Sequence, residues 1–233
     1  MEIRIEEDAA AVARAGAELV ARAAREAIAA RGAFHFAVSG GRTPWEMMRE
    51  LVGEDIAWDK VHVFQVDERI APEGDPDRNM THLRASLLAY VRIPPGNVHA
   101  MPVERDDPEA AAADYARTLA EVVGSPPVLD LVHLGLGPDG HTASLVPGDA
   151  VLEVTDRDVA VTSSVYQGRR RMTLTYPVLE RAREVMWLVD GAAKAEMLAR
   201  LVAGDETIPA GRVHAVHATA IVDTLAASQL RQS

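Results

Sequence analysis

Short apolar runs alternate with helix-patterned stretches along most of this chain, and that alternation restricts its fold more than any other feature. Phe34-His-Phe-Ala-Val38, Val61-His-Val-Phe-Gln-Val66 and Val128-Leu-Asp-Leu-Val-His-Leu134 read as short buried strands. Further strands are expected at Glu2–Glu6, 158–163, 171–175, 184–189 and 217–222. Residues 8–31 are Ala-rich, opened by Asp8 as a helix N-cap and closed by Gly32. Other helices are expected from Pro44 to about Leu51, from Asn79 to Val91, over 108–123, and near 177–183, 191–203 and 223–230. Strands apolar on both faces, separated by helices, predict an α/β fold: a doubly wound, mostly parallel sheet with helices on both faces. No internal repeat or low-complexity linker interrupts the chain, and the Pro-rich breaks at 94–96 and 126–127 read as turns. Residues 1–233 are therefore expected to form one domain.

Composition removes several kinds of chemistry. The chain has no cysteine, which excludes disulfides, thiolate catalysis and Cys-based zinc sites. His82, His99 and His141 lack close metal-ligand spacing, so no metal is expected. No run approaches the roughly 20 apolar residues of a membrane span and no apolar leader precedes a small-residue cleavage site. A cytoplasmic location without a membrane partner is the expectation. The net charge of −11 is spread along the chain and repels phosphate backbones, so no nucleic-acid partner is expected. Any anionic substrate would need a local positive field against that charge. The oligomeric state stays open between a monomer and a weak dimer.

Three predicted strands run directly into unusual loops, 39–44, 67–79 and 135–148. In open α/β sheets ligands bind beyond the carboxyl ends of the strands, so these loops are expected to converge. In Ser39-Gly-Gly-Arg-Thr-Pro44, Gly40 and Gly41 let the backbone approach a ligand and the following helix offers free N–H groups. Ser39 and Thr43 add hydroxyls and Arg42 a charge, the composition of a phosphate cradle. A plain strand-to-helix turn fits the same residues equally well. Asp67-Glu-Arg69 ends a strand; Asp67 could orient a hydroxyl or water and Arg69 pair with phosphate, although an ion pair among neighbours also fits. Gly135-Leu-Gly-Pro-Asp-Gly-His141 fixes an unusual backbone path and sets Asp139 two residues before His141. An imidazole takes and returns a proton near neutral pH, and an adjacent carboxylate fixes its tautomer. The cluster Arg169-Arg-Arg171 precedes a strand, and Lys194 opens a helix four residues after Asp190; each could supply positive field or be surface charge.

Two other motifs are weaker. Gly135, Gly137 and Gly140 match a dinucleotide fingerprint, but the match lies past mid-chain and Pro138 interrupts it. Ala37-Val-Ser39-Gly-Gly41 is a degenerate nucleophile elbow with too few strands before it for a serine esterase.

Taken in order, Ser39-Gly-Gly-Arg-Thr-Pro44, Asp67-Glu-Arg69 with Asn79, Gly135 through Gly148, Arg171-Met-Thr-Leu-Thr175, Gly191-Ala-Ala-Lys194 and Asp223 with Ala226-Ala227 span nearly the whole chain. Together they resemble the 6-phosphogluconolactonase family, a branch of the larger group that includes glucosamine-6-phosphate deaminase. The resemblance implies a Rossmann-like α/β fold, no cofactor, and a phosphosugar lactone as the small-molecule partner in the oxidative pentose phosphate pathway. It implies that His141 activates water, and that Arg69, Lys194 and the Gly40–Gly41 turn hold the 6-phosphate, with Arg42 and Arg171 as further candidates. Asp67 falls at the position of the deaminase's proton-transferring carboxylate. The deaminases resemble one another in a Glu five residues after the His; here that position is Val146, where the family's lactonases more often have Phe. Val146 favours the lactonase branch over a deaminase or isomerase, and a non-catalytic sugar-phosphate sensor is the remaining alternative.

Overall fold

In the computed structural model, which describes residues 1–230, the strands are β1 (Glu2–Glu6), β2 (Phe34–Val38), β3 (Val61–Gln65), β4 (Asp67–Arg69), β5 (Val98–His99), β6 (Leu131–Gly135), β7 (Val159–Val161), β8 (Arg171–Leu174), β9 (Glu184–Val189) and β10 (Ala218–Asp223). The helices are α1 (Ala9–Arg31), α2 (Arg42–Leu51), α3 (Asn79–Leu83), α4 (Pro108–Val123), α5 (Tyr176–Arg181) and α6 (Ala195–Val202). The main sheet has seven parallel strands in the order β1-β10-β9-β6-β2-β3-β5. Its strands alternate between two cores, because successive side chains of a strand point to opposite faces. Phe34, Phe36 and Val38 of β2 and Met186 and Leu188 of β9 face α1 and α2. Ala37, Val185, Trp187 and Val189 face α4 and α6. Both faces are covered, as the apolar strands required.

α1 begins where the Asp8 carboxylate accepts the Ala11 amide at 2.8 Å and ends at Gly32, whose φ of 82° suits a residue without Cβ. Its small residues (Ala13, Ala17, Ala21, Ala24) let the helix lie close to the sheet. Among the described residues no helix is long and apolar enough to cross a membrane.

Several elements differ from the sequence expectations. The segments near 158–163 and 171–175 do not join the main sheet. They form β7 and β8, which with β4 make a separate antiparallel sheet in the order β4-β8-β7. Val66 is where the chain changes sheets: its amide donates to Val38 at 2.9 Å while its carbonyl accepts from Leu174 at 2.8 Å. The expected helix over 79–91 is regular only to Leu83 and then widens into a π-type turn over Arg84–Leu88. There the Ser86 hydroxyl bonds the His82 carbonyl and the Ala89 amide reaches back to Arg84. The strand expected from Val128 starts only at Leu131, since Asp130 is occupied with the His35 amide and Arg31. The helix near 191–203 opens with a 3₁₀ turn over Ala192–Lys194, and that near 223–230 is only a 3₁₀ turn over Ala226–Gln229.

Candidate active site

The strand order reverses between β2 and β6: from β2 the sheet continues through β3 to β5, and from β6 through β9 to β10. Such a switch point opens a crevice at the carboxyl ends of the strands. A cleft of about 370 Å³ lies there. It is lined by Ser39, Gly40, Gly41, Arg42 and Thr43 after β2, by Asp67 and Arg69 of β4, by the loop from Gly135 to His141, by Arg171 of β8 and by Lys194 after β9. Of the residues expected in the site only Asp139 stands outside this lining, behind His141. Four cationic side chains (Arg42, Arg69, Arg171, Lys194) line the cleft against two carboxylates (Asp67, Asp190), so it is locally positive in a chain of net charge −11.

The loop after β6 is folded around His141. The Gly137 amide donates to the His141 carbonyl at 2.8 Å and the Gly140 amide to the Gly137 carbonyl at 3.1 Å. Gly140 has φ 81°, which favours glycine, and a Cβ there would also press on Ile208. This path puts Asp139 Oδ1 2.5 Å from His141 Nδ1 and 3.2 Å from the His141 amide. With Nδ1 committed to a carboxylate, the ring carries its proton there and Nε2 is the basic nitrogen. Among the described residues Nε2 has no hydrogen-bond partner, and His141 lines the cleft. Burial raises the Asp139 carboxyl pKa, but the bond and charge of His141, with Tyr166 adding, bring it below the usual value. The carboxylate therefore stays ionised beside the imidazole.

On the opposite wall, β4 and β8 set Arg69 directly across from Arg171 and Asp67 across from Thr173. Asp67 is buried; its Oδ2 accepts from the Ser144 hydroxyl at 2.6 Å and its Oδ1 from Asn79 Nδ2 at 3.3 Å. Asn79 in turn accepts from Arg69 Nη1 at 3.0 Å. The Nε atoms of both Arg69 and Arg171 are buried without a partner among the described residues. Burial lowers the Arg171 pKa, the Asp67 carboxylate opposes this and Arg69 adds to it, with a net lowering. The two facing guanidiniums give this wall of the cleft a concentrated positive charge.

The loop after β2 closes the third side. Gly40 lies so near Asn79 that a Cβ would be 2.0 Å from Asn79 Oδ1. Thr43 is buried and its hydroxyl donates to Asp190 at 2.6 Å, while exposed Arg42 pairs with the other Asp190 oxygen at 3.2 Å. Lys194 makes no ion pair among the described residues; burial lowers its pKa while Asp139 and Asp190 pull it back part-way.

Sequence reading missed four residues that hold this arrangement. Glu68, fully buried, accepts from Gln65, from the Arg69, Asn79 and Met80 amides, and pairs with Arg78 at 3.2 Å. It joins β4 to the start of α3, and its place between Asp67 and Arg69 was the available signal. Ser144 lay within the quoted Gly135–Gly148 motif. Asp190 follows an apolar strand, where a carboxylate is conspicuous. Tyr166, which touches both Asp139 and His141, has no motif around it.

Comparisons with known proteins identify the family and the fold. The family described as glucosamine-6-phosphate isomerases/6-phosphogluconolactonase matches residues 7–222. A 6-phosphogluconolactonase of Synechocystis is 42% identical over 182 residues, which are 76% of this chain and 75% of that protein. A 6-phosphogluconolactonase of Mycobacterium tuberculosis is 40% identical over 232 residues, 94% of each chain. The crystal structure of 6-phosphogluconolactonase from Thermotoga maritima superposes with a TM-score of 0.85 at 26% identity, covering 95% of this chain and 98% of that one.

Proposed function

The chain belongs to the glucosamine-6-phosphate isomerase/6-phosphogluconolactonase family, and on that premise we propose that it hydrolyses 6-phospho-D-glucono-1,5-lactone to 6-phosphogluconate. It is an ester hydrolase of the oxidative pentose phosphate pathway. The observation that carries the mechanism is the His141 imidazole, tied to Asp139 through Nδ1 and presenting an unpartnered Nε2 to a cationic cleft.

In this reading Nε2 takes a proton from a water molecule as its oxygen attacks C1 of the lactone. The tetrahedral intermediate collapses with cleavage of the bond from C1 to the ring oxygen, and the imidazolium returns its proton to that oxygen. Asp139 holds the ring and stabilises its transient positive charge. The 6-phosphate, remote from C1, is held by Arg69, Lys194, the Gly40–Gly41 turn and the amides opening α2, with Arg42 and Arg171 adding charge. That binding energy orients the ester. In this reading Asp67, fixed by Ser144 and Asn79, orders the sugar hydroxyls and balances Arg171. Val146 is buried and apolar, so the position five residues after His141 offers no carboxylate for sugar ring opening.

The test follows loss of the lactone above its spontaneous hydrolysis. His141→Ala is expected to lower kcat by about 10²–10⁴-fold, the usual contribution of a general base, with little change in KM. Ammonia release from glucosamine 6-phosphate, or no turnover of the lactone above background, would overturn the assignment. Near-normal turnover by the variant would remove His141 from its role.

A further inference from the structure

We propose that Tyr166 is a positioning residue that holds the Asp139–His141 pair in its working geometry from behind the cleft. Its kinetic consequence rests on the lactonase reading above; its structural content does not. Tyr166 lies in the hairpin joining β7 to β8. Its backbone pairs with Arg169 in both directions, at 3.0 and 3.3 Å, around the two turn residues Gln167 and Gly168. Both have positive φ, 50° and 82°, as a tight turn matched to strand twist requires. The hairpin is tied down on each side. Arg169 donates to Asp75 at 2.9 Å, and the Ser163 and Ser164 amides and the Ser164 hydroxyl all donate to Asp149. Tyr166 is therefore delivered by a fixed scaffold.

From there its hydroxyl reaches Asp139 Oδ2 at 3.0 Å and lies 3.2 Å from His141 Nδ1. The Tyr166 ring meets the imidazole edge-on, with centroids 5.2 Å apart, and Arg171 covers its face at 4.9 Å. Burial and the Asp139 carboxylate both raise the phenol pKa, so the hydroxyl is a proton donor at neutral pH. Asp139 thus divides its two oxygens, Oδ1 to His141 and Oδ2 to Tyr166. Among the described residues Oδ2 has no other partner. Without the phenol the carboxylate is free to rotate off the imidazole.

Tyr166→Phe tests this because it keeps both ring contacts and deletes only the hydroxyl. In lactone assays kcat is expected to fall about fivefold, the equivalent of one hydrogen bond of about 1 kcal/mol, with KM unchanged. The acid limb of the pH–kcat/KM profile moves to lower pH, because a carboxylate turned off the ring no longer favours its protonated form. The same displacement is read without turnover, by NMR titration of the His141 imidazole, its signal identified by its loss in His141→Ala. A wild-type titration midpoint in Tyr166→Phe overturns the proposal, as does a rise in KM alone. A displaced midpoint in a protein that fails to hydrolyse the lactone leaves the positioning role standing and removes the lactonase reading instead.

Discussion

A Cβ added at Gly137 would lie 2.0 Å from His141 Nδ1 and 2.6 Å from Asp139 Oδ1. Gly137 has no positive φ, so its backbone tolerates any residue and the constraint is purely one of space. The methyl of Gly137→Ala can be accommodated only by moving the imidazole off its carboxylate. Displacements of about 1 Å in a reacting group cost on the order of 10²-fold in rate. Gly137→Ala is therefore expected to fold normally, keep its KM and lose about 10²-fold in kcat, read by steady-state kinetics beside a thermal melt. Wild-type kcat would mean that the dyad has slack the structure does not show. Gly40 has the same kind of constraint with a different consequence, since its Cβ would collide with Asn79 Oδ1, the acceptor that holds Arg69. Gly40→Ala should therefore raise KM for the phosphorylated substrate more than it lowers kcat. The opposite split would take the β2 loop out of phosphate binding.

Between elements, the pairing of β4 with β8 sets two guanidiniums opposite each other with one buried carboxylate beside them. Like charges directly across an antiparallel pair oppose folding, and a bound anion relieves them. Arg171→Met should therefore melt no lower than wild type without ligand, and gain less stability from added 6-phosphogluconate. A wild-type ligand-induced shift in that variant, in parallel melts, would place the anion elsewhere. The same pairing marks the limit of what the sequence disclosed. The loops after β2 and β6 were legible because glycine, proline and charge interrupt apolar strands at defined points. The parallel sheet was legible because its strands are apolar on both faces. The small antiparallel sheet was not. Asp67, Arg171 and Thr173 read as strand-end polar residues, and are buried where β4 pairs with β8 about a hundred positions away along the chain. Glu68 looked like one charge among three and is the hub of β4 and α3. No local pattern announces a contact of that range.

At the scale of the whole molecule, the onset of the response to acid is set by two histidines. His133 is fully buried in the middle of β6, where its Nδ1 accepts the Ser39 amide at 3.3 Å, and burial lowers its pKa to about 3. His99 is lowered to about 4, by burial first and then by the neighbouring charges of His62 and His35. Both are neutral in the folded chain at pH 7. In the unfolded chain they take up protons below about pH 6.5. The unfolded state then binds more protons than the folded one, so stability falls as pH falls through that window. For His133 the loss is about 1.4 kcal/mol per pH unit from about pH 6.5 down to its folded value. His99 adds a smaller share down to about pH 4, because it keeps some contact with solvent. Asp205, held near 2 by Thr207 and Arg200, acts in the same sense at lower pH: the unfolded chain takes the proton first, and its contribution is lost only below the ordinary carboxylate range near 4. Stability should therefore begin to fall between pH 6 and 5. Urea unfolding at successive pH values is expected to show that slope, and His133→Gln to flatten it. A variant as acid-sensitive as wild type would locate the proton uptake outside β6.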